Sequence, residues 1–393
     1  MQAVLLAAGE GTRMGPLTDN TPKPMLPVAD RPLVGHVATA AVAAGIEELI
    51  VVVGDESDAV RSYFGDQYRG VPVTYAVQPE QLGTADALEA AVECLDGPFA
   101  VFNGDVLFDP AGVERLLAGG PAIAIYRVPD PSNYGVVTVD DGQVTDIVEK
   151  PADPPSPWIN AGAYVFPERA RDWLDVSRSA RGEYELTAVV AELIAAESVR
   201  AVALENWLDV GRPWELLAAN ECRLASIDRE LRGTVSADAD IRGPVVVEPG
   251  ATVESGVVIE GPVYVDEDAI VGPNAHIRGA TYLGEGVHVG TGTEIKNSVI
   301  RANTAVPHLS YVGDSVIGRD GNVGAGTNVA NLRHDGREVR VTVEGDRVST
   351  DRHKLGVVAG DGVKTGINTS IEPGVVLSSG TRTDPGEHVA RDR

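Results

Sequence analysis

The sequence of 393 residues predicts two architectures in one chain: an α/β half with a mainly parallel sheet, followed by a coil of short strands. Three observations predict them. Up to about residue 228, apolar strand-like runs alternate with stretches of helical spacing, the pattern of a layered α/β domain. From Val235 onward apolar residues fall six apart, at Val235, Ile241, Val247, Val253, Ile259, Val265, Val271, Ile277, Leu283, Val289 and Ile295. Residues six apart cannot share a helix face, which needs spacings of three, four or seven; short strands separated by turns can each send one such side chain to a shared axis. Gly243-Pro244, Pro249-Gly250, Gly261-Pro262 and Gly272-Pro273 supply the corners. The predicted domains are residues 1–228 and 229–393.

In the first domain Val4–Ala7, Glu48–Val53, Val73–Val77, Phe99–Phe102 and Ala122–Val128 read as strands, each a short apolar run bounded by turn residues. Arg31–Ala44, Asp58–Phe64, Thr84–Leu95 and Ala111–Leu117 carry helical spacing between them. Tyr134–Lys150 breaks the alternation: Val136, Val137 and Val139, the turn Asp140-Asp141-Gly142, then Val144, Ile147 and Val148 predict an inserted hairpin. A helix from Glu183 to Ala196, a strand from Ala201 to Leu208 and a helix from Pro213 to Ser226 close the domain. In the second domain the phase slips by one to Ile300, Val306 and Val312, and again to Ile317, Val323 and Val329. Leu332–Arg352 interrupts the repeat, and the alternation of Val339, Val341 and Val343 before Gly345-Asp346 predicts a protruding hairpin. Hexads return over Leu355–Leu377, and the polar stretch from Ser378 reads as a frayed tail.

Composition excludes several classes. No run of about eighteen apolar residues exists, so no membrane span is expected. The apolar N-terminal run lacks a basic flank and enters a glycine loop, so it reads as a strand and not a signal peptide. Asp and Glu number 58 against 32 Lys and Arg, a net charge of −26, which argues against a nucleic-acid partner because phosphate backbones need a net basic surface. Five of the cations are lysines. An acidic, lysine-poor surface resembles that of proteins from salt-loving organisms, where concentrated salt screens self-repulsion. Cys94 and Cys222, far apart in sequence, suggest no disulfide framework and fit a reducing, cytoplasmic setting.

The chemistry begins at Leu5-Leu6-Ala7-Ala8-Gly9-Glu10-Gly11-Thr12-Arg13-Met14, followed by Lys23-Pro24-Met25-Leu26-Pro27. Glycines let backbone N–H groups close around phosphate oxygens, and the two cations neutralise the charge of a triphosphate. The spacing fits neither a P-loop, which needs Gly-Lys-Ser/Thr, nor the dinucleotide fingerprint, whose third glycine is missing. The stretch resembles the signature LxxGxGTRxxxxT…KPxLPV of the sugar-1-phosphate nucleotidyltransferases. That resemblance implies a Rossmann-like domain in which a sugar-1-phosphate oxygen attacks the α-phosphorus of a nucleoside triphosphate, UTP or dTTP, with Mg²⁺. It implies that Asp105 and Asp209, each ending a strand-like run, are the metal pair, that Arg13 stabilises the α-phosphate, and that Lys23 holds phosphate. Leu6, Ala8, Gly9, Gly11, Thr12, Gln78, Gly83 and Thr84 would surround the nucleotide; Gly135, Glu149, Lys150 and Asn160 would hold the sugar phosphate.

In the second half Pro307-His308-Leu309-Ser310-Tyr311-Val312-Gly313-Asp314, then Asn322-Val323-Gly324-Ala325-Gly326-Thr327 and Asn331, resemble the acetyltransferase half of bifunctional enzymes making UDP-N-acetylglucosamine. The hexads likewise resemble the left-handed parallel β-helix of hexapeptide-repeat acyltransferases; the hand comes from that resemblance, since general crossover sterics favour the other. The resemblance implies that His308, whose ordinary pKa lies near neutrality, is the base for an amine attacking acetyl-CoA. Asn331 would contact substrate, Ala325 would offer a backbone N–H near the thioester, Arg278 and Lys296 would bind the sugar phosphate, and Tyr311 and Asn322 would line the pocket. The bacterial pattern Asn-Tyr-Asp-Gly is replaced here by Asn331-Leu332-Arg333-His334-Asp335-Gly336, without the tyrosine. A homotrimer is implied as well. The alternatives are a single-activity glucose-1-phosphate thymidylyl- or uridylyltransferase whose coil serves assembly, and a non-catalytic scaffold.

Overall fold

The computed structural model describes residues 1–54, 57–179 and 181–393. The chain forms two compact units, one of residues 1–10, 22–25 and 32–209 and a second of residues 11–21, 26–31 and 210–393.

The first unit is built on a mixed sheet of ten strands, in the order Gly135–Asp140, Gln143–Glu149, Val199–Ala203, Ala122–Arg127, Trp158–Phe166, Phe99–Asn103, Gln2–Leu6, Glu48–Val53, Val71–Val77 and Gln67–Tyr68. Alternation along the strands sorts the apolar side chains into two cores. Ala3, Leu5, Leu49 and Val51 face the helices Leu33–Ala43, Asp58–Phe64 and Pro110–Leu117, while Val4, Ile50 and Val52 face Thr84–Glu89 and Leu186–Ala196. The strands Phe99–Asn103, Gln2–Leu6, Glu48–Val53 and Val71–Val77 run parallel, so their C-terminal ends share one edge.

Several expectations change in detail. Trp158–Phe166, not expected as a strand, runs antiparallel between Phe99–Asn103 and Ala122–Arg127; its polar Asn160 and Gly162 sit at a break of register, which hid the strand. The expected strand Ala201–Leu208 is two strands in different sheets. Val199–Ala203 joins the main sheet and Trp207–Asp209 pairs with Val106–Phe108. Asp109 parts them by accepting the backbone N–H groups of Glu205 (3.1 Å) and Asn206 (3.4 Å). The helix expected from Arg31 begins at Leu33, after Pro32 in extended conformation, and Thr84–Leu95 divides into Thr84–Glu89 and a 3₁₀ turn, Val92–Cys94.

The second unit contains three parallel sheets that receive strands in rotation. Thr252 pairs with Ile270, and Val258 with His276, one coil of eighteen residues on. Each phase slip shortens a coil by one residue, so that Leu283 pairs with Ile300 and Ile300 with Ile317. All three sheets send the hexad residues into a single core running from Val245 to Val389, an arrangement consistent with a β-helix. The 332–352 insertion contains the expected hairpin, Arg340–Val343 with Asp346–Ser349. It does not protrude freely, since Val339 and Val341 are buried. Nor is the tail frayed: Val389 is buried in the core, His388–Val389 pairs with Ser370–Ile371, and Arg393 exchanges backbone hydrogen bonds with Val376 and Ser378.

Candidate functional site

In the first unit a cavity of about 240 Å³ opens at the shared C-terminal edge of the parallel strands. Leu6, Ala8, Gly9, Lys23, Gln78, Gly83, Thr84 and Asp105 line it, together with Pro24, Gln81, Ala87, Asn103 and Glu183. Eight of the expected residues thus meet in one place. Lys23 is buried, with its Nζ paired to Asp105 Oδ2; an ammonium leaves water at acceptable cost only beside such a partner. Asp105 follows the strand Phe99–Asn103 through Gly104, whose N–H donates to the Leu6 carbonyl at 2.9 Å. A Cβ at Gly104 would lie 2.6 Å from that oxygen, so only glycine permits the approach. Gly83 is equally constrained: its φ is 135° and a Cβ would meet the Tyr184 carbonyl at 2.3 Å. Gln78 is buried and its amide N–H groups donate to Gly83 O (3.1 Å) and Asp86 Oδ2 (2.6 Å), so the side chain braces the Gly83 loop of the expected nucleotide pocket.

Asp209 lies opposite Val106 in the short antiparallel pair, one residue from Asp105. Two carboxylates this close along the paired segments, one of them lining the cavity, fit Mg²⁺, which takes one or two carboxylates and fills its octahedron with phosphate and water. No group of three or more acidic, histidine or cysteine side chains gathers for a metal among the described residues. Gly11, Thr12 and Arg13 belong to the second unit. There Arg13 is exposed with its guanidinium close to Gly211, and Thr12 Oγ1 bonds Glu344 Oε1 at 2.8 Å.

The expected sugar-side residues also converge. Gly135 pairs with Glu149 across the hairpin, and a Cβ on Gly135 would stand 3.2 Å from Glu149 Oε2 and 3.5 Å from Asn160 Cβ. Asn160 is aimed by the register break, its Nδ2 donating to the Tyr164 hydroxyl at 2.6 Å and its Oδ1 accepting Gly162 N–H at 3.1 Å. Lys150, at φ 42°, lies 3.9 Å from Glu149. Sequence reasoning missed Arg181 and Glu185 beside them. Arg181 sits 3.6 Å from Glu149 and 2.9 Å from Glu185. Burial, with the Glu149 carboxylate nearby, raises the Glu185 carboxyl above its ordinary value. Neither carried a motif that could have flagged it.

In the second unit Arg278, Lys296 and Tyr311 stand on three consecutive strands of one sheet, Arg278 opposite Lys296 and Tyr311 opposite Glu294. Their hub is Asp314, nearly fully buried at φ 49°, which accepts from Lys296 Nζ (2.6 Å), Asn297 Nδ2 (2.9 Å) and Asn331 Nδ2. Asn331 also donates to the Tyr311 hydroxyl at 3.2 Å, and Arg278 Nε to Glu294 at 2.7 Å. Burial, then Asp314, pushes the Tyr311 phenol upward, so it stays protonated. Asp314 was quoted in the motif, but no role was assigned to it; Glu294 gave no signal. His308 is exposed on the corner before this sheet. Leu309 N–H bonds Thr291 O, Gly326 N–H bonds His308 O and Asn368 N–H bonds Ala325 O, which stacks His308 and Ala325 in one column. Asn322 does not join the cluster: it bridges Ala305 and Lys364 on the neighbouring sheet, across the corner that His308 occupies.

Known proteins resemble the chain along its whole length. The nucleotidyl transferase family matches residues 2–226, and the GMPPB C-terminal domain matches residues 259–379. The bifunctional protein GlmU of Methanocaldococcus jannaschii is 40% identical over 96% of this chain and 92% of its own. The bifunctional sugar-1-phosphate nucleotidylyltransferase/acetyltransferase of Sulfurisphaera tokodaii is 36% identical over 100% of this chain and 98% of its own. The UTP–glucose-1-phosphate uridylyltransferase AglF of Haloferax volcanii is 39% identical over 54% of this chain and 92% of its own. A solved UDP-glucose pyrophosphorylase complexed with UDP-glucose shares the fold over 57% of this chain and 98% of its own, with a TM-score of 0.53 and 24% identity.

Proposed function

We propose, since this chain belongs to the nucleotidyl transferase family and matches bifunctional relatives nearly end to end, that it performs two consecutive transfers. The first N-acetylates an amino-sugar-1-phosphate with acetyl-CoA; the second joins the product to UTP, giving a UDP-N-acetylamino sugar and pyrophosphate. The observation that carries this reading is that one chain holds both the Lys23–Asp105 cavity and the Lys296–Tyr311–Asp314–Asn331 cluster, with an exposed His308 on the same coil.

In acetylation, the substrate amine attacks the thioester carbonyl, His308 takes the amine proton, and coenzyme A leaves as the thiol. Lys296 and Arg278 hold the sugar phosphate, Asn331 and Tyr311 orient the sugar, and the Ala325 N–H faces the developing oxyanion. Asn322 lies on the adjoining face, and a homotrimer of left-handed β-helices would let a second copy complete the site. In nucleotidyl transfer, a phosphate oxygen of the N-acetylated sugar bonds the α-phosphorus while the bond to the bridging oxygen of pyrophosphate breaks. Arg13 and Lys23 neutralise the phosphates, Gly9 and Gly11 approach them closely, and Glu149, Lys150 and Asn160 hold the sugar phosphate. Asp105 and Asp209 would hold Mg²⁺, which supplies charge neutralisation on the phosphates. A cytoplasmic setting and adaptation to high salt complete the proposal, the latter resting on the net charge of −26.

A single-activity uridylyl- or thymidylyltransferase on glucose-1-phosphate is the second reading, favoured by the match of AglF to the first half alone. Purified protein in concentrated salt with Mg²⁺ separates the two. Thiol release from acetyl-CoA with glucosamine-1-phosphate or galactosamine-1-phosphate, and pyrophosphate release with UTP or dTTP and the N-acetylated product, are expected. Pyrophosphate release with glucose-1-phosphate and no thiol release with either amino sugar would establish the second reading.

A further inference from the structure

Neither reaction just described uses Arg301, yet its guanidinium is 2% exposed within the second unit. It follows the strand Val299–Ile300. Its Nη1 donates to the Leu17 carbonyl at 2.9 Å and lies 3.3 Å from Asp361 Oδ1; its Nη2 donates to Thr21 Oγ1 at 2.6 Å. A guanidinium can be buried only where its donors find acceptors. Two of these three acceptors lie 284 and 280 residues earlier in the chain.

They belong to the segment of residues 11–21, which carries Gly11, Thr12 and Arg13. The chain leaves the first unit after Glu10, joins the second for this segment, and re-enters the first at Pro22. Its own hydrogen bonds make only short turns: Met14 N–H to Gly11 O at 2.8 Å, Gly15 N–H to Thr12 O at 3.1 Å, Leu17 N–H to Met14 O at 3.0 Å, Asp19 N–H to Pro16 O at 3.5 Å, and Thr18 Oγ1 to Gly11 O at 3.1 Å. The coil supplies the rest. Ser379 Oγ bonds Asp19 Oδ2 at 2.6 Å and also bonds Asp361 N at 3.2 Å. Asp361 in turn accepts Arg319 N–H at 2.8 Å. A Cβ on Gly360 would lie 2.9 Å from Pro16 Cβ, so the loop lies directly against the coil.

We propose that Arg301 is a positioning residue for nucleotidyl transfer, fixing within the second unit the loop that carries Arg13 and the Gly11 amide, the groups assigned above to the triphosphate. The proposal rests on the nucleotidyl-transfer reading above. Misplacing a charge-stabilising group by about an ångström costs on the order of a hundredfold in rate, and Arg301 is a buried anchor of this loop that bonds it at two points, Leu17 and Thr21.

The test uses the full chain with Arg301→Met and Arg301→Lys, and Thr21→Val as a milder loop-side variant that removes one acceptor. In Arg301→Met, amide hydrogen exchange over residues 11–21 should quicken and kcat for pyrophosphate release should fall about tenfold or more, with acetyl transfer within about twofold of wild type. Thr21→Val should move both loop readouts in the same direction by less, and Arg301→Lys should recover part of the loss. Unchanged exchange in both Arg301→Met and Thr21→Val, an unchanged kcat, or an equal fall in both activities would overturn the positioning role. If Arg301→Met fails to fold, Thr21→Val decides by the same criteria. Failure of the wild type to release pyrophosphate from any triphosphate would instead overturn the nucleotidyl-transfer reading, so the two failures are distinct.

Discussion

Each unit holds a lysine–aspartate pair in its candidate site, and the two pairs are buried in opposite senses. Lys23 is 8% exposed beside an Asp105 that is 31% exposed, whereas Lys296 is 17% exposed beside an Asp314 that is 4% exposed. The first pair hides its cation and presents a carboxylate oxygen; the second hides its carboxylate and presents N–H donors. A partly exposed carboxylate lining the cavity suits a divalent cation, and a partly exposed ammonium on a sheet suits an anionic substrate group. One pair of residue types therefore suits different chemistry according to which partner the fold buries.

Substitutions can break or sharpen that contrast. Asp105→Asn removes the open carboxylate, and pyrophosphate release should fall about a thousandfold while thiol release from acetyl-CoA persists; equal residual rates would show that Asp105 only neutralises Lys23. Asp314→Asn takes the buried charge from beneath Lys296 and should cost about 3 kcal/mol, seen as earlier unfolding of the second unit in denaturant; an unchanged midpoint would remove Asp314 as the hub. Lys296→Met leaves that hub an amide partner in Asn331, so it should raise KM for the amino-sugar phosphate about tenfold with kcat nearly kept, measured by thiol release.

The smallest effect concerns Glu185. Its carboxyl is raised above the ordinary value, first by burial and then by Glu149. The folded protein thus holds that proton more tightly than the unfolded chain does. Its contribution is fully present below the unfolded carboxylate pKa and is lost as pH rises through the raised folded value. Glu185→Gln should therefore gain Tm relative to wild type between pH 4 and pH 7, by about a few degrees at most. Parallel Tm profiles for the two proteins would show that Arg181 cancels the shift.

The coil was legible because one residue in six must point at the axis, so the apolar period is enforced at Val253, Ile259 and Val265 alike. The cavity was legible because Gly83 and Gly104 meet backbone requirements that other residues cannot, with Gly9, Lys23 and Asp105 set near them. What stayed hidden depended on partners distant in sequence. Trp158–Phe166 has a polar break that reads as a loop until strands exist on both sides of it. The tail after Ser378 is polar, yet Val389 alone suffices to close the core. Asp314 and Arg301 take their meaning from Lys296, Asn331, Leu17 and Thr21, which no local pattern joins to them.

Two independent transfers in one chain are tested most directly by assaying thiol release and pyrophosphate release side by side in wild type, His308→Ala and Arg13→Ala, in concentrated salt with Mg²⁺. His308→Ala should lose thiol release by about a hundredfold or more and keep pyrophosphate release from UTP with an N-acetylated sugar phosphate, and Arg13→Ala should do the reverse. Loss of both activities in either variant, or retention of thiol release in His308→Ala, would contradict two separate sites.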